Sequence, residues 1–192
     1  MKKTLKVLSL LMALMVVFAS CKPNLPAPES EDEVESTPEQ VISTITDLDD
    51  GYTWKTAAGM EYGCSDDWSV TTSGQYTYVE FSTVDNAFVM FMDPTYVGDI
   101  TLTKDDMKDI IEGFASEAEG DVESSEIVEV TIAGQKGYTV EIETELSGVD
   151  AKMAIWCFVY DSEVYFIGYA AEKSVYDKYI TDAEYIVGTA KV

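Results

Sequence analysis

The sequence predicts an α+β domain in which helices pack against one antiparallel β-sheet. Most of the chain after residue 50 consists of short apolar or alternating segments separated by turn residues, a pattern typical of strands. Two amphipathic segments interrupt these strands, and each has an apolar stripe that must be buried against another element. Several strands are apolar on both faces. Such strands need a cover on each side, so the prediction is a sheet sandwiched between flanking helices.

The first predicted elements are a short helix and four strands. Thr37 is suited to cap a helix, with Pro38 at the first helical position and Gln40 at the third, and the apolar spacing extends this helix to about Asp47. The run Asp49-Asp50-Gly51 ends it. The strands that follow are predicted over residues 52–57, 60–64, 76–84 and 87–92.

The second half of the chain predicts two hairpins. Their strands cover residues 126–132, 138–146, 152–160 and 164–170, with turns at 133–137 and 161–163. In the second strand Glu141 and Glu143 alternate with Val140 and Ile142. Because side chains alternate between the faces of a strand, this one has one solvated and one buried face.

Two longer helices are predicted from their first turns and their stripes. Thr103-x-x-Asp106 resembles a capping box, Gly120 is suited to end the helix, and Ser174-x-x-Asp177 repeats the device near the C-terminus. The first stripe is Met107, Ile110, Ile111, Phe114, Ala115 and Ala118. The second is Tyr176, Tyr179, Ile180, Ala183 and Val187.

The composition excludes several functions. The chain of 192 residues has 36 acidic residues, 12 Lys, no Arg and no His, for a formal charge of −24. Such a charge repels phosphate backbones, which excludes nucleic acid as an expected partner. The absence of His removes the usual proton shuttle at neutral pH and the commonest ligand of transition metals. We expect no catalytic residue, metal or cofactor.

The first 36 residues predict export and a membrane anchor. Lys2, Lys3 and Lys6 precede an apolar run over 7–19, and Phe18-Ala19-Ser20-Cys21 follows. This start resembles a bacterial lipoprotein signal peptide and its lipobox. The resemblance implies that residues 1–20 are removed and that Cys21 becomes the mature N-terminus, carrying a diacylglyceryl thioether. Two or more acyl chains anchor a protein stably, so we expect attachment to the cell membrane, facing away from the cytoplasm. An ordinary signal peptide with a chance cysteine is the alternative.

A linker and a single domain are predicted after the anchor. Residues 21–36 combine the lipidated cysteine with a segment rich in Pro and acidic residues, too poor in apolar residues to fold. We interpret this segment as a disordered spacer; the alternative is an acidic ligand for a basic partner. Residues 37–192 form the domain. The acidic surface and the short spacer suggest a Gram-positive type of envelope, although a Gram-negative periplasm also uses such signals.

The order of elements over residues 59–188 resembles the PsbP-like fold, which DcrB-type lipoproteins share. The features that carry the resemblance are Tyr62-Gly63 followed by a turn into Trp68, two strands, the helix after Thr103, the hairpin around Gly134, the strand Val164-Tyr165-Phe166-Ile167-Gly168-Tyr169 and the final amphipathic helix. The resemblance implies an α/β/α sandwich and a non-enzymatic domain that binds other proteins. It transfers no catalytic or ligand-binding residue to this chain.

Three other features could carry chemistry. Cys64 and Cys157 could form a disulfide in an oxidising compartment or be buried thiols, and without His neither has the usual base of a thiol nucleophile. Asp47-x-Asp49-Asp50-Gly51 resembles a calcium loop only faintly, because Leu48 interrupts it and Ala57 occupies the place of the final Glu. Tyr76, Tyr78 and Tyr96 are candidates for an exposed aromatic binding patch.

The sequence therefore predicts a lipid-anchored, non-catalytic interaction module with an unknown protein partner. Two alternatives stay open. A lipoprotein that binds a sugar, a peptide or a cation would have a concave pocket with aromatic walls and carboxylates at its base. A carboxylate-dependent hydrolase would need two carboxyl groups about 5–10 Å apart in a cleft.

Overall fold

The computed structural model describes residues 45–118, 120–146 and 148–192, which contain ten strands and two helices. The strands are β1 (Tyr52–Ala57), β2 (Met60–Ser65), β3 (Ser69–Ser73), β4 (Tyr76–Ser82), β5 (Ala87–Tyr96), β6 (Glu123–Ser124), β7 (Val128–Ile132), β8 (Gln135–Leu146), β9 (Val149–Tyr160) and β10 (Glu163–Glu172). The helices are α1 (Lys104–Glu117) and α2 (Tyr176–Thr189).

The strands form one large sheet and one small one. The large sheet has eight strands in the order β3-β4-β5-β10-β9-β8-β6, with β7 also pairing with β8, and its pairs are antiparallel. Strands β1 and β2 form a separate antiparallel hairpin. A bridge between Glu61 and Lys191 joins this hairpin to the chain after α2. Every strand predicted from the sequence is present, with ends that differ by a few residues.

Each face of the large sheet has its own hydrophobic cluster. In β5 Val89 and Phe91 pack with Ile186 of α2, whereas the alternate residue Met90 belongs to the cluster of Met107 and Phe114 of α1. Because alternate side chains of a strand point to opposite faces, the two helices cover opposite sides of the sheet. The β1–β2 hairpin lies on the α2 side, where Met60 and Tyr62 join the cluster. The predicted α+β sandwich is therefore confirmed.

The two helices begin differently. Helix α1 has the predicted capping box: the backbone N–H of Asp106 donates to Thr103 Oγ1 at 3.3 Å, and the Thr103 N–H donates to Asp106 Oδ2 at 2.7 Å. Helix α2 has Val175 as its N-cap and no side-chain cap, so the predicted cap at Ser174 was wrong. Its first residue is fixed by packing instead, since Tyr176 is buried and its carbonyl accepts a hydrogen bond from Tyr169 at 2.8 Å.

Two further predictions differ from the structure. Residues 45–47 are not helical, and the rest of the predicted helix over 37–47 lies outside the described residues. Strands β3 and β6 were not predicted; all their residues are exposed, and neither has an apolar pattern. None of the helices in the described part of the chain is both long and apolar enough to cross a membrane.

Candidate functional site

Helix α2 divides its side of the sheet into two surface features. Tyr179, Asp182 and Tyr185 follow one another at a spacing of three and lie along one edge of the helix. Ile180 and Glu184 are four residues apart and lie along the other edge. The face between these edges is buried against the sheet. Each edge meets strands of a different part of the fold and forms a distinct site with them.

The first feature is a continuous row of five aromatic rings, which we call the aromatic row: Tyr185, Tyr52, Trp68, Phe81 and Tyr179. The ring centroid of Tyr52 lies 4.4 Å from that of Tyr185 and 5.5 Å from that of Trp68. Phe81 lies 4.7 Å from Trp68 and stacks on Tyr179 at 5.9 Å. All five side chains are partly exposed. The row is therefore a surface of aromatic rings in mutual contact.

Carboxylates border the aromatic row. Asp85 accepts hydrogen bonds from the Tyr179 hydroxyl at 2.6 Å and from Lys178 at 2.7 Å, and both bonds lower its pKa. The Asp182 carboxylate has no hydrogen bond or ion pair among the described residues, and partial burial raises its pKa. The Lys178 ammonium lies 4.7 Å from the centroid of the Tyr179 ring. The row thus combines apolar surface with acidic groups that favour a positively charged neighbour.

The second feature is a pocket of about 270 Å³ between β7, β8, β9 and the other edge of α2. We call it the acidic pocket. Its apolar lining includes Val128, Val130, Ala154, Trp156 and Ile180. Its polar lining is Ser125, Glu126, Thr139, Glu141 and Glu184. Carboxylates from β8 and α2 thus border an aromatic and aliphatic floor, whereas a ligand-binding lipoprotein was expected to have aromatic walls with carboxylates at the base.

The two carboxylates of the acidic pocket differ in their partners. Glu141 forms an ion pair with Lys152 at 2.9 Å and accepts a hydrogen bond from the Tyr176 hydroxyl at 2.9 Å. The Lys152 ammonium also lies 4.5 Å from the centroid of the Tyr176 ring. The Glu184 carboxylate has no hydrogen bond or ion pair within the described residues. Glu184 is an exposed residue whose carboxyl group is partly buried, and this partial burial, followed by the charge of Glu141, raises its pKa.

The tyrosines predicted as an exposed patch do not form one. Tyr76 and Tyr78 are buried, with 8% and 7% of their surface exposed, because β4 lies between β3 and β5 and both rings face the cluster on the α1 side. Tyr78 packs edge-on against Phe88 at 5.9 Å. Tyr96 is 76% exposed at the end of β5. The prediction was wrong for the first two residues.

Both described cysteines are free and buried. Cys64 belongs to the hydrophobic cluster on the α2 side, and Cys157 to the cluster on the α1 side. Of the two alternatives left open by the sequence, the structure has buried thiols and not a disulfide. Burial raises the pKa of each thiol, which disfavours the nucleophilic thiolate. Cys21 lies outside the described residues.

The residues of the faint calcium loop belong to a turn before β1, where the Tyr52 N–H donates to the Asp49 carbonyl at 3.2 Å. Within the ranges that the structure describes, no three His, Cys, Asp or Glu side chains are grouped in a way that could hold a metal ion.

The fold first defines a class, the α+β domains in which one antiparallel sheet lies between helices. Comparison with solved structures then assigns the fold within this class. Cyanobacterial PsbP from Synechocystis has a TM-score of 0.55 and 9% identity, over 78% of this chain and 97% of that chain. The described domain therefore has the PsbP-like fold that its sequence resembles.

Two other solved structures match with lower scores. LpqN of Mycobacterium tuberculosis, involved in cell envelope biogenesis, has a TM-score of 0.47 and 14% identity over 69% of this chain and 82% of that chain. The Ran-binding protein Mog1p of Saccharomyces cerevisiae has a TM-score of 0.47 and 10% identity over 71% and 87%. No family model and no curated protein matches the sequence.

Proposed function

We propose that this chain is a lipid-anchored extracytoplasmic protein whose PsbP-like domain is a non-catalytic module that binds another protein. The observation that carries the proposal is the aromatic row. Aromatic side chains are enriched at protein interfaces because they bury a large area while losing little conformational freedom. Five such rings in contact, partly exposed and bordered by Asp85 and Asp182, match this chemistry.

The leader and Cys21 support the anchored location. The chain has a formal charge of −24, and a body so acidic is repelled by the anionic surface of a membrane. Attachment therefore has to come from acyl chains, which act independently of surface charge. In this proposal the domain faces away from the cytoplasm, with the acidic and Pro-rich segment as its spacer.

Replacing Cys21 with alanine is expected to move the protein from the membrane fraction to the soluble fraction or the medium. The physical reason is the loss of the acyl chains, each of which contributes about 0.8 kcal/mol per buried CH₂. Immunoblots of fractionated cells measure the change. The matched control is Cys64→Ala, which also removes one thiol and should stay in the membrane. A Cys21→Ala protein that stays membrane-bound would contradict lipidation as the anchor.

A photo-crosslinking amino acid next to the aromatic row is expected to capture the protein partner in intact cells. We place it at Asp67, an exposed residue beside Trp68, and at the exposed Asp109 of α1 on the opposite side of the sheet. Only the probe at position 67 should give an adduct of reproducible mass. Excess unlabelled protein should abolish this adduct, whereas a Tyr52→Ala, Tyr179→Ala double variant should compete poorly. Equal adducts at both positions, or none at position 67, would exclude the row as the interface.

Ligand binding is a second candidate function, which the acidic pocket favours. The pocket combines an apolar floor, which includes Trp156, with the bordering carboxylates of Glu141 and Glu184. It lies on the opposite edge of α2 from the aromatic row, so the two functions can be tested separately.

A further inference from the structure

We infer that the acidic pocket binds an aliphatic ammonium group, a primary amine on a hydrocarbon stem, supplied by a free amine or by a lysine side chain. The inference deepens the second candidate function by naming the class of ligand. It does not depend on the aromatic row.

The apolar floor of the pocket favours a ligand with a hydrocarbon stem. Val128, Val130 and Ile180 are aliphatic, and Trp156 adds an aromatic edge. A pocket of about 270 Å³ has room for a short chain of methylene groups. Burying such a chain against these side chains is favourable, because it removes apolar surface from water.

The carboxylates of the pocket favour a ligand with a single positive charge. Glu141 already has a cation, Lys152 at 2.9 Å, whereas Glu184 has none among the described residues. An ammonium placed at Glu184 would form a charge-assisted hydrogen bond and relieve the repulsion between the two carboxylates. That repulsion is consistent with the raised pKa of Glu184, for which burial is the larger cause.

Other ligands fit the same pocket less well. Calcium takes six to eight oxygen ligands, and magnesium keeps most of its water, so neither uses an apolar floor. A neutral sugar would form no ion pair with Glu184. An anion would be repelled by both carboxylates. The combination of an apolar floor with one unpaired carboxylate therefore favours an alkylammonium.

The chain itself contains the proposed interaction next to the pocket. Lys152 is an aliphatic ammonium, and its Nζ lies 2.9 Å from Glu141 Oε2 and 4.5 Å from the centre of the Tyr176 ring. Its side chain is largely buried. A second ammonium, bound at Glu184 on the open side of the pocket, would make the same two kinds of contact, one with a carboxylate and one with apolar surface.

The experiment titrates the full chain, purified in detergent, with n-butylammonium and follows the NMR signals of the Trp156 indole N–H and the Ile180 methyl groups. We expect saturable shifts at both residues. Neutral n-butanol should bind at least tenfold more weakly, since it lacks the charge. A peptide with one lysine between glycines, with blocked ends, forms a parallel arm. Whichever of the amine and the peptide binds more tightly identifies the source of the ammonium.

Two variants complete the test. Glu184→Gln keeps the size of the side chain and should weaken butylammonium binding about tenfold or more. Glu112→Gln removes one exposed charge on α1 and should leave binding unchanged. Equal affinity for butanol, unchanged affinity in Glu184→Gln, or shifts spread over acidic residues outside the pocket would each overturn the inference. None of these results affects crosslinking at position 67, so failure here is distinct from failure of the protein-binding proposal.

Discussion

Replacing Gly137 with alanine is expected to destabilise the domain by about 3 kcal/mol, the upper end of the usual cost of overpacking a core. Gly137 lies in β8, paired with Phe158 of β9 and Val130 of β7. A Cβ at this position would lie 2.5 Å from the carbonyl oxygen of Cys157 and 3.0 Å from the Cβ of Phe158. Because both atoms belong to a central strand, neither can move without disturbing the sheet. For a domain of this size the melting temperature should fall by roughly 6–12 °C.

Gly168→Ala provides the matched control. Gly168 also lies in a central strand, β10, but its added Cβ would meet only the end of the Met90 side chain at 3.8 Å, an ordinary contact. Alanine reduces the freedom of the unfolded chain, so this variant should melt at or above the temperature of the parent protein. Thermal unfolding followed by circular dichroism measures both. If the two variants melted alike, the close approach of β8 and β9 at Gly137 would be refuted.

The parts of the fold that the sequence predicted depend on local patterns. The capping box of Thr103 and Asp106 involves residues three apart, and its hydrogen bonds form as expected. Val140 and Ile142 alternate with Glu141 and are buried on the α1 side. Such features are readable because neighbouring residues decide them.

The features that were missed depend on tertiary context. All residues of β3 are exposed, and this edge strand is held by its pairing with β4. That same pairing places β4 inside the sheet, so Tyr76 and Tyr78 become buried although polar residues and a turn lie beside them. Ser174 has the right residue type for a cap, yet the packing of Tyr176 begins the helix one residue later.

The candidate sites were not predictable in the same way. Glu141 and Glu184 come from a strand and a helix far apart in the chain, and Tyr52 meets Tyr185 only because the β1–β2 hairpin lies beside α2. The sequence identified an excess of acidic and aromatic residues but had no signal for which of them meet. The one relevant cue was the apolar stripe of α2, since residues just outside such a stripe flank the buried face.

The second large effect is expected at Tyr176, which joins α2 to the sheet beside the acidic pocket. Its side chain is 1% exposed, and its ring lies 4.9 Å from that of Tyr169. Tyr176→Ala should cost about 3–5 kcal/mol, the range for large aromatic residues truncated in a core. The loss includes the packing of the ring and the support it gives to the Lys152 ammonium. Urea unfolding should show a lower midpoint with little change in slope.

Tyr176→Phe separates packing from hydrogen bonding at the same position. Phenylalanine keeps the ring but removes the hydroxyl that donates to Glu141 at 2.9 Å. Since Glu141 keeps its ion pair with Lys152 and contact with water, the cost should be only about 1 kcal/mol, typical of one hydrogen bond. If Tyr176→Phe were as destabilising as Tyr176→Ala, the hydroxyl bond and not the buried ring would fix α2 on the sheet. A small cost for the phenylalanine variant beside a large one for alanine would instead establish that ring packing positions the helix.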